Sequence, residues 1–394
     1  MKKEELKMQH VMTNLKKDMA NCFKNHYNPT EILTKNTSYK MIISKRSDGK
    51  TYAMRLVLYY AFQKYGFTSV IVRRLAESIK KSMIEHDFDK IFLEHPEINF
   101  KKYDGVGYYN QSIRGFWFTD ETQKKKKYDT PFVEYLSVSN SETTKSSKDY
   151  QNLFMVLFDE ICSRSKYLPD EFNMWCNLLS TIIRETLDCT VIMLGNPVSF
   201  VSPYFSNYGI KPLELPDNSI TIYKSEKSQT SIAIEKVGLK NGNKKIKAVN
   251  DRFFGFENQK VKSITTGIWE TPMYPRLKKQ TNEATIYNKL FCKLDECVLR
   301  LEMCNEKNIG IFVRVHEFYD TNFYDDDIII DVSDNPINLK NVFTKMATNI
   351  PCNKLLTYYI YLYHQDKYFY SDNMTGETLR IILKKFMSSQ PKYI

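Results

Sequence analysis

Glycine and proline are scarce in this chain, and long apolar runs are missing. There are 13 residues of each type among 394, which argues against a linker-rich or largely disordered chain. No apolar run approaches the roughly 18 residues that span a bilayer, and the charged N-terminus has no apolar signal core. We therefore expect an intracellular protein with no membrane association, and the length predicts two or three domains.

Cysteine and histidine patterns typical of metal sites are also missing. The eight cysteines are scattered, and none forms a Cys-x-x-Cys pair. The spacings of Cys292, Cys297 and Cys304 suit no standard zinc knuckle, and the six histidines are dispersed. We predict reduced thiols and no metal site built on histidine.

Positive charge is in excess. The 57 lysines and arginines outnumber the 46 acidic residues, for a net charge of +11 and a pI near 9.0. Such a charge can serve solubility alone, but it favours a polyanionic partner such as nucleic acid. Hydrophobic residues make up 42% of the chain, which is enough for sizeable cores.

The stretch Met41–Tyr52, MIISKRSDGKTY, has the context of a phosphate-binding loop. Tyr39–Ile43 predicts a buried strand, and Ala53–Tyr65 predicts a helix. The segment between them follows G-x-x-x-x-G-K-[ST], with Ser44 in place of the first glycine. The candidate nucleotide-binding residues are Ser44, Lys45, Arg46, Ser47, Asp48, Gly49, Lys50 and Thr51.

Each residue type in this loop has a chemical reason. Backbone N–H groups of the loop and of the helix N-terminus form an anion nest. Lys50 would reach the β- and γ-phosphates, Thr51 would coordinate Mg²⁺, and Gly49 would let the backbone approach the phosphate. Ser44 would have to make a left-handed turn without the freedom of glycine. The alternative is an ordinary β-turn with a solvated Lys50.

The six apolar residues Leu153–Phe158 predict a strand that is buried on both faces. The strand ends in Asp159 and Glu160, as in a Walker B motif. Asp159 would hold Mg²⁺ together with Thr51, and Glu160 would polarise the attacking water as a general base. The alternative is a core strand that happens to end in two carboxylates.

Two further strands are predicted to end at the same edge of the sheet. Thr68–Val72 ends in Arg73 and Arg74, which could face nucleotide, nucleic acid, a neighbouring subunit or solvent. Thr190–Leu194 is followed by Gly195 and Asn196, where Asn196 is either a sensor of the γ-phosphate or a turn former. In open α/β sheets this carboxyl edge binds the ligand. A helix over Glu171–Thr186 carries Arg184 near its end.

The motifs SKRSDGKTYAM, SVIVRR, FMVLFDE, the Arg184 helix and VIMLGNPVSFVSPYF follow one another along the chain. In order and spacing they resemble the DNA-packaging ATPases of phi29-like tailed phages, over about residues 28–211. The resemblance implies an α/β fold: an additional-strand (ASCE) P-loop ATPase domain followed by an α+β, RNase-H-like C-terminal domain.

The resemblance also implies a function. Members of that family form a homo-oligomeric ring, by resemblance a pentamer, at the portal of the procapsid, and use ATP and Mg²⁺ to drive double-stranded DNA inward. The location implied is the host cytoplasm, transiently at the portal vertex. Whether a packaging RNA is a further partner stays open.

Individual residues match the family as follows. Lys50 and Thr51 match its Walker A lysine and hydroxyl, Asp159 and Glu160 its Walker B pair, and Arg184 its trans-acting arginine finger. Arg73 matches a basic position near the nucleotide and the channel, and Lys145 lies near a lysine of a polar loop. A basic pore residue expected next to Arg74 is absent, because Leu75 and Ala76 follow.

We predict four segments: a basic amphipathic helix over 1–26, the ATPase domain over 27–212, a linker or lid over 213–281, and the RNase-H-like domain over 282–394. In the last domain we predict a hairpin of Cys297–Met303 and Ile309–His316 and a strand over Ile328–Val332. We also predict helices over Leu339–Ala347 and Thr375–Phe386 and aromatic strands over Leu356–Tyr363.

Two other functions remain open at this stage. The first is a terminase-like motor that also cleaves DNA with Asp325, Asp326, Asp327 and Asp331, although sequential aspartates usually mark a solvated turn, whereas two-metal cleavage needs carboxylates from separate strands. The second is a nucleic-acid-binding scaffold that does not hydrolyse ATP.

Overall fold

A computed structural model shows two compact units, Met1–Glu270 and Thr271–Ile394. Each unit is described by itself. The residues that the structure describes are 2–18, 22–23, 26–46, 48–98, 108–110, 115–117, 119–120, 125–126, 131–143, 150, 152–163, 167–184, 186, 189–224, 230–238, 252, 274–276, 284–295, 297–307, 309–319, 322–344 and 354–388.

The first unit contains eleven strands and seven α-helices within the described residues. The strands are β1 (Tyr39–Ile43), β2 (Thr68–Arg73), β3 (Tyr108–Asn110), β4 (Gly115–Trp117), β5 (Thr119–Asp120), β6 (Lys125–Lys126), β7 (Val133–Ser137), β8 (Leu153–Asp159), β9 (Thr190–Gly195), β10 (Ser219–Lys224) and β11 (Ser231–Lys236). The helices are α1 (Lys2–Asp18), α2 (Thr30–Leu33), α3 (Lys50–Tyr65), α4 (Lys81–Ile84), α5 (Asp89–Glu94), α6 (Glu171–Ile183) and α7 (Pro203–Asn207).

Nine of these strands form one sheet in the order β10-β11-β1-β9-β8-β2-β7-β4-β3. The strands from β11 to β7 are parallel, and antiparallel strands flank them at both edges. Numbered along the chain, the central strands β11-β1-β9-β8-β2 have the order 5-1-4-3-2. The strand β9 therefore lies between the phosphate-loop strand and the acidic strand, which confirms the additional-strand fold.

The central strands of the sheet are predominantly apolar, and they are buried on both faces. All seven residues of β8 are buried, and its apolar side chains are divided between two cores. Phe154 and Leu157 pack in the core that contains α3, whereas Val156 and Phe158 pack in the core that contains α6 and α7. Parallel strands need such cover on both faces. The first helix joins the α3 core, because Val11, Met12 and Leu15 are fully buried there.

Part of the segment predicted as a linker over 213–281 instead completes the sheet, namely β10 and β11. Ile232, Ala233 and Ile234 of β11 are buried. The strand β11 pairs in parallel with β1 along the full length of β1. The polar residues around these strands concealed the short apolar run, so the prediction was wrong for residues 219–236.

Within its described residues, the second unit is a six-stranded sheet with two helices on one face. Its strands are β12 (Thr285–Leu294), β13 (Cys297–Glu306), β14 (Gly310–Phe318), β15 (Ile329–Asp331), β16 (Val342–Thr344) and β17 (Tyr368–Tyr370), and its helices are α8 (Lys354–His364) and α9 (Asn373–Ser388). The order is β16-β15-β12-β13-β14-β17. Three antiparallel strands followed by two parallel ones agree with the expected RNase-H-like topology.

Two element predictions in this unit were wrong. Leu356, Tyr359 and Leu362 are buried three residues apart on α8, so the aromatic stretch predicted as strands is a helix. Part of the helix predicted over Leu339–Ala347 is the strand β16, and residues 345–347 lie outside the described residues. The predicted hairpin and the last helix are confirmed as β13–β14 and α9.

The second unit also begins earlier than predicted. Tyr274 packs on Tyr370, with ring centroids 5.1 Å apart, and its hydroxyl donates a 2.7 Å hydrogen bond to Glu377. The backbone N–H of Tyr370 donates to the carbonyl of Pro275. Residues before 282 therefore belong to this unit. Within the residues described here, no helix is long and apolar enough to cross a membrane.

Candidate nucleotide-binding site

The ends of three neighbouring strands bring the predicted site together. Ile43 lies opposite Gly195, and Leu194 lies opposite Asp159. The chain leaves all three strands at the same edge, so Ser44, Asn196 and Glu160 start adjacent loops there. This is the carboxyl edge where parallel α/β sheets bind ligands.

Lys50 lies at the centre of this edge. Its Nζ donates hydrogen bonds to Asn196 Oδ1 at 2.5 Å and to the carbonyl of Ser44 at 3.4 Å. The residue is only 7% exposed. Burial lowers the pKa of Lys50 from its ordinary value, and the carboxylates of Asp159 and Asp48 oppose that shift. The ammonium is therefore held in place by two neutral oxygens and is not locked in a salt bridge.

The carboxylate of Asp159 is contacted on both oxygens. The hydroxyl of Thr51 lies 3.3 Å from Oδ1, and the Arg73 guanidinium lies 3.2 Å from Oδ2. Asp159 is 4% exposed. Burial by itself lowers the pKa of Arg73, but Asp159 and Glu160 leave it raised overall. The predicted metal-binding pair, Thr51 and Asp159, is thus assembled, and Arg73 is its nearest cation.

Gly49 supplies the left-handed residue of the loop. Its φ is +80°, and it precedes the first residue of α3. A Cβ at this position would lie 2.5 Å from Nδ1 of His26, which packs against the loop from outside. The backbone N–H of Tyr27 donates to the carbonyl of Asp48 at 2.8 Å. Sequence reasoning missed His26 and Tyr27, because no local pattern connects them to the loop.

Ser44 does not make the left-handed turn that we expected. It is not among the positive-φ residues of the described chain. Its N–H instead donates to the carbonyl of Gly195, which continues the β1–β9 pairing by one residue. A serine is therefore compatible with this position, and the expectation of strain there was wrong.

The remaining loop residues differ in exposure. Lys45 lies 3.7 Å from Asp48, whereas Arg46 is exposed. Burial raises the pKa of Asp48, although Lys45 and Lys50 oppose the shift. Ser47 lies outside the described residues, as does Lys145 of the polar loop.

Glu160 has a left-handed backbone conformation, which is unusual for a residue other than glycine. It is exposed, and its φ is +70°, a conformation that costs a residue with a Cβ about 1 kcal/mol or more. The next N–H, that of Ile161, returns to the sheet by donating to Leu194. The turn thus places Glu160 at the carboxyl edge of the sheet, directly after Asp159.

Arg74 has a different environment from Arg73. Its Nε contacts both carboxylate oxygens of Glu171 at 2.9 Å, and another guanidinium nitrogen donates to the carbonyl of Ile161. Glu171 is 2% exposed and also accepts from Tyr204 at 2.7 Å. The guanidinium of Arg74 therefore joins the start of α6 to the loop after β8, within its own unit.

Arg184 lies at the opposite edge of the sheet from Lys50. Because α6 connects the end of β8 to the start of the parallel strand β9, the helix runs back along the sheet. Arg184 follows α6 and is exposed, with φ +42°. Burial raises the pKa of Tyr150, just before β8, and the charge of Arg184 opposes that shift. Arg184 therefore lies near the edge where the strands begin.

The side chains at the carboxyl edge fit a magnesium nucleotide. Thr51 and Asp159 offer hard oxygen ligands, which Mg²⁺ prefers. Lys50 offers an ammonium, and the buried Arg73 Nε has no hydrogen-bond partner among the described residues. A nucleotide phosphate would provide an acceptor for this Nε–H and a further acceptor for the ammonium.

Among the described residues of the second unit, no three metal-ligating side chains converge. Asp325 and Asp326 are exposed in a turn, as expected for sequential aspartates. Asp331 is fully buried, but its two oxygens accept from the N–H groups of Ser333 and Ile337. The residue opposite it on β12 is Lys293, a cation. A lysine at that position opposes a two-metal cluster, which needs a second carboxylate there.

Comparison with known proteins agrees with this geometry. A profile of the podovirus DNA encapsidation protein (Gp16) family matches residues 23–224, just over half of the chain. The chain belongs to this family. The match includes the phosphate loop, the acidic strand, the Arg184 helix and Asn196.

Individual relatives cover a similar part. The DNA packaging protein of Bacillus phage phi29 is 28% identical over 189 residues, which are 47% of this chain and 51% of that protein. The DNA packaging protein of Bacillus phage B103 is 30% identical over 174 residues, 43% of this chain and 48% of that protein. The chain thus matches about half the length of these relatives.

A solved structure extends the fold comparison to both units. A chain of the bacteriophage Phi-29 viral genome packaging motor assembly superposes with a TM-score of 0.62 at 17% identity. The superposition covers 92% of this chain and 99% of that one. At this level of identity the likeness concerns the fold, which is shared across the ATPase-type sheet and the C-terminal unit.

Proposed function

We propose that this protein is an ATPase that drives double-stranded DNA into a viral procapsid. Its membership in the encapsidation family supports this function. The observation that carries the enzymatic part is the convergence of Lys50, Thr51, Asp159 and Asn196 at one edge of a 5-1-4-3-2 sheet.

Each residue has one task in hydrolysis. Lys50 would bind the β- and γ-phosphates once they replace its present oxygen partners, and Thr51 and Asp159 would hold the metal. Bound Mg²⁺ would neutralise charge that develops on the transferring phosphoryl group. Glu160 would orient and deprotonate the attacking water. Asn196 accepts a hydrogen bond from Lys50. It would move with that ammonium and so sense the γ-phosphate.

Arg73 would respond to the same event. Its salt bridge to Asp159 neutralises the buried carboxylate, a task that the metal would take over. The guanidinium would then be available to phosphate oxygens, which Arg binds well in a bidentate manner.

Arg184 would act in a neighbouring subunit. Its place at the edge where the strands begin keeps it away from the phosphate loop of its own chain. A heterologous contact that closes into a ring would bring this edge to the next subunit's nucleotide. There Arg184 would stabilise the transition state as an arginine finger.

The first test is DNA-stimulated ATPase activity at low salt. We expect Glu160→Gln to bind ATP but to lose turnover by at least about 100-fold, the size of a general-base effect. Arg184→Ala, mixed into wild type at increasing fraction, should reduce activity non-linearly because each site is shared. Lys81→Ala, an exposed basic residue of α4, is the matched control.

Three results would contradict this function or a part of it. Full turnover in Glu160→Gln would show that Glu160 is not the general base. A strictly linear decrease with the fraction of Arg184→Ala would show that the site is not shared between subunits. An absence of ATP turnover in wild type, with DNA and portal present, would instead favour the non-hydrolysing scaffold.

A further inference from the structure

A second polar cluster lies on the outside of the phosphate loop, and the ATPase mechanism does not use it. It consists of Cys22, His95 and Glu97, whose ligand atoms all lie within 4.8 Å of one another. Within the part of the chain that the structure describes, it is the only group of three such side chains at this distance. Residue 22 and residues 95 and 97 come from segments that are far apart in sequence.

The three side chains offer one sulfur, one nitrogen and one oxygen. Glu97 Oε1 lies 2.9 Å from His95 Nδ1 and 3.9 Å from the Cys22 sulfur. His95 is 8% exposed, Cys22 is half-buried and Glu97 is exposed. The cluster is therefore anchored on the inside by His95 and can be reached from solvent beside Glu97. A mixed thiolate, imidazole and carboxylate set suits Zn²⁺.

The environment of His95 provides a second, independent indication. Its other ring nitrogen, Nε2, lies 2.9 Å from the hydroxyl of Tyr52. That hydroxyl in turn donates a 2.6 Å hydrogen bond to Glu94. A metal-bound histidine nearly always has its second nitrogen engaged by such a partner, which fixes the tautomer and the ring orientation. Because Tyr52 engages Nε2, Nδ1 is the ring nitrogen that faces Glu97, and a metal would replace the hydrogen bond between Nδ1 and Glu97.

We propose that Cys22, His95 and Glu97 form a zinc site that joins the segment before the phosphate loop to the end of α5. The three protein ligands would leave one position of a tetrahedral ion for water or an exogenous ligand. The site lies against Tyr52, the residue after Thr51. His26 packs on the same Tyr52 ring, with ring centroids 4.2 Å apart. The His26 side chain also lies next to Gly49. The metal would hold the outer wall of the phosphate loop.

The test is a titration of the purified, chelator-treated full chain with Co²⁺ and then Zn²⁺. Cobalt bound to a thiolate gives a charge-transfer absorption, which cobalt bound only to the oxygens of the Mg²⁺ site does not. We expect wild type to show this band, to saturate with one cobalt per chain, and to lose it when zinc is added. Zinc should also raise the melting temperature.

Variants separate this site from other thiols. Cys22→Ser should abolish the band, and His95→Gln should abolish saturable binding. Cys176→Ser, which removes a half-buried thiol of α6 outside the cluster, should leave both unchanged. Tyr52→Phe should keep the band but weaken cobalt binding about 10–100-fold, the usual effect of removing a partner of a metal-bound histidine.

Either of two results would overturn the proposal: no band in wild type, or an equal band in Cys22→Ser. If circular dichroism shows that Cys22→Ser is not folded, cobalt binding by Glu97→Gln and His95→Gln tests the site instead. In that case unaltered cobalt affinity in both variants would exclude the site.

Discussion

At the scale of single residues, the phosphate loop depends on one backbone conformation. Gly49 has φ +80°, and His26 occupies the space that a Cβ would need. The loop therefore combines a left-handed residue with a close neighbour from a distant segment. Either feature alone would favour glycine, and together they make the position intolerant of substitution.

Replacing Gly49 by alanine should impair nucleotide binding. The φ value costs an L-residue about 1–2 kcal/mol, and the clash with His26 adds to that. We expect the Kd for a non-hydrolysable ATP analogue to rise at least about tenfold, since 1.4 kcal/mol corresponds to that factor. Fluorescence titration would measure it.

A matched control exists in the same unit. Gly209 has φ +66°, but a Cβ there would contact nothing within 4 Å. Gly209→Ala should leave the Kd unchanged. Combining His26→Ala with Gly49→Ala should recover part of the lost affinity. Equal binding by Gly49→Ala and wild type would show that the loop rearranges freely.

At the scale of elements, β1 carries a buried cation that the site does not need. Lys40 is 3% exposed and donates to the carbonyl of Thr37 and to the hydroxyl of Thr190. Burial lowers the pKa of Lys40 to about 8. Because the folded pKa lies below the unfolded value of roughly 10.4, the unfolded chain binds more protons between these values.

Lys40→Met should therefore change how stability depends on pH. In wild type, the contribution of Lys40 to the free energy of unfolding rises between about pH 8 and about pH 10. The increase is at most about 1.4 kcal/mol per pH unit. We expect Lys40→Met to be more stable than wild type at pH 7, with the advantage shrinking over that range. Urea unfolding at several pH values would measure it.

An exposed lysine provides the comparison. Lys81 of α4 is about half exposed, so Lys81→Met should track wild type at every pH. A constant stability difference between Lys40→Met and wild type from pH 7 to pH 10 would contradict the prediction.

The start of α6 depends on the buried pair of Arg74 and Glu171. Glu171 has a fully buried side chain, and the Arg74 side chain is 13% exposed. Breaking a buried pair by removing one partner typically costs about 3–5 kcal/mol, because the other charge is left uncompensated. We expect Glu171→Gln to lower the free energy of unfolding by an amount of this order.

A double-mutant cycle with Arg74→Met tests whether the uncompensated charge of Arg74 causes this loss of stability. If the uncompensated charge dominates, the double variant should be more stable than the sum of the two single losses predicts. Additive losses would show that Glu171 acts chiefly through Tyr204 and the N–H of Leu168.

At the scale of the whole molecule, the second unit has a core of its own. Its buried apolar residues form two clusters that include Leu290 on β12 and Phe386 on α9. The region also includes Tyr274, whose ring contacts α9 at Gly376 so closely that a Cβ there would lie 2.2 Å from it. This core indicates an autonomous folding unit.

Residues 271–394, expressed alone, should unfold cooperatively in urea. A fragment of 282–394 lacks the partly buried Tyr274 ring and its hydrogen bond to Glu377, and should be less stable by roughly 1–3 kcal/mol. Circular dichroism would compare the two. Equal stability would show that Tyr274 does not belong to the folding unit, and no cooperative transition in the longer fragment would contradict its autonomy.

The linear pattern alone predicted the central parts of the first unit. Strands β1, β2, β8 and β9 are predominantly apolar, and the predicted site residues lie in the segments that follow them, as in Lys50–Thr51 and Asp159–Glu160. Such runs are recognisable because a strand buried on both faces carries few polar residues. The pairing of Thr51 with Asp159 follows from adjacent strand ends, and it could be expected from the fold.

Tertiary structure decided what local pattern cannot encode. The place of β11 beside β1, the helix at Leu356–Tyr363 and the start of the second unit before Tyr274 all depend on contacts between distant segments. So do His26 against Gly49 and the cluster of Cys22, His95 and Glu97. Short-range periodicity determines which face of an element is apolar, but which residues meet across those faces is set by packing of the whole chain.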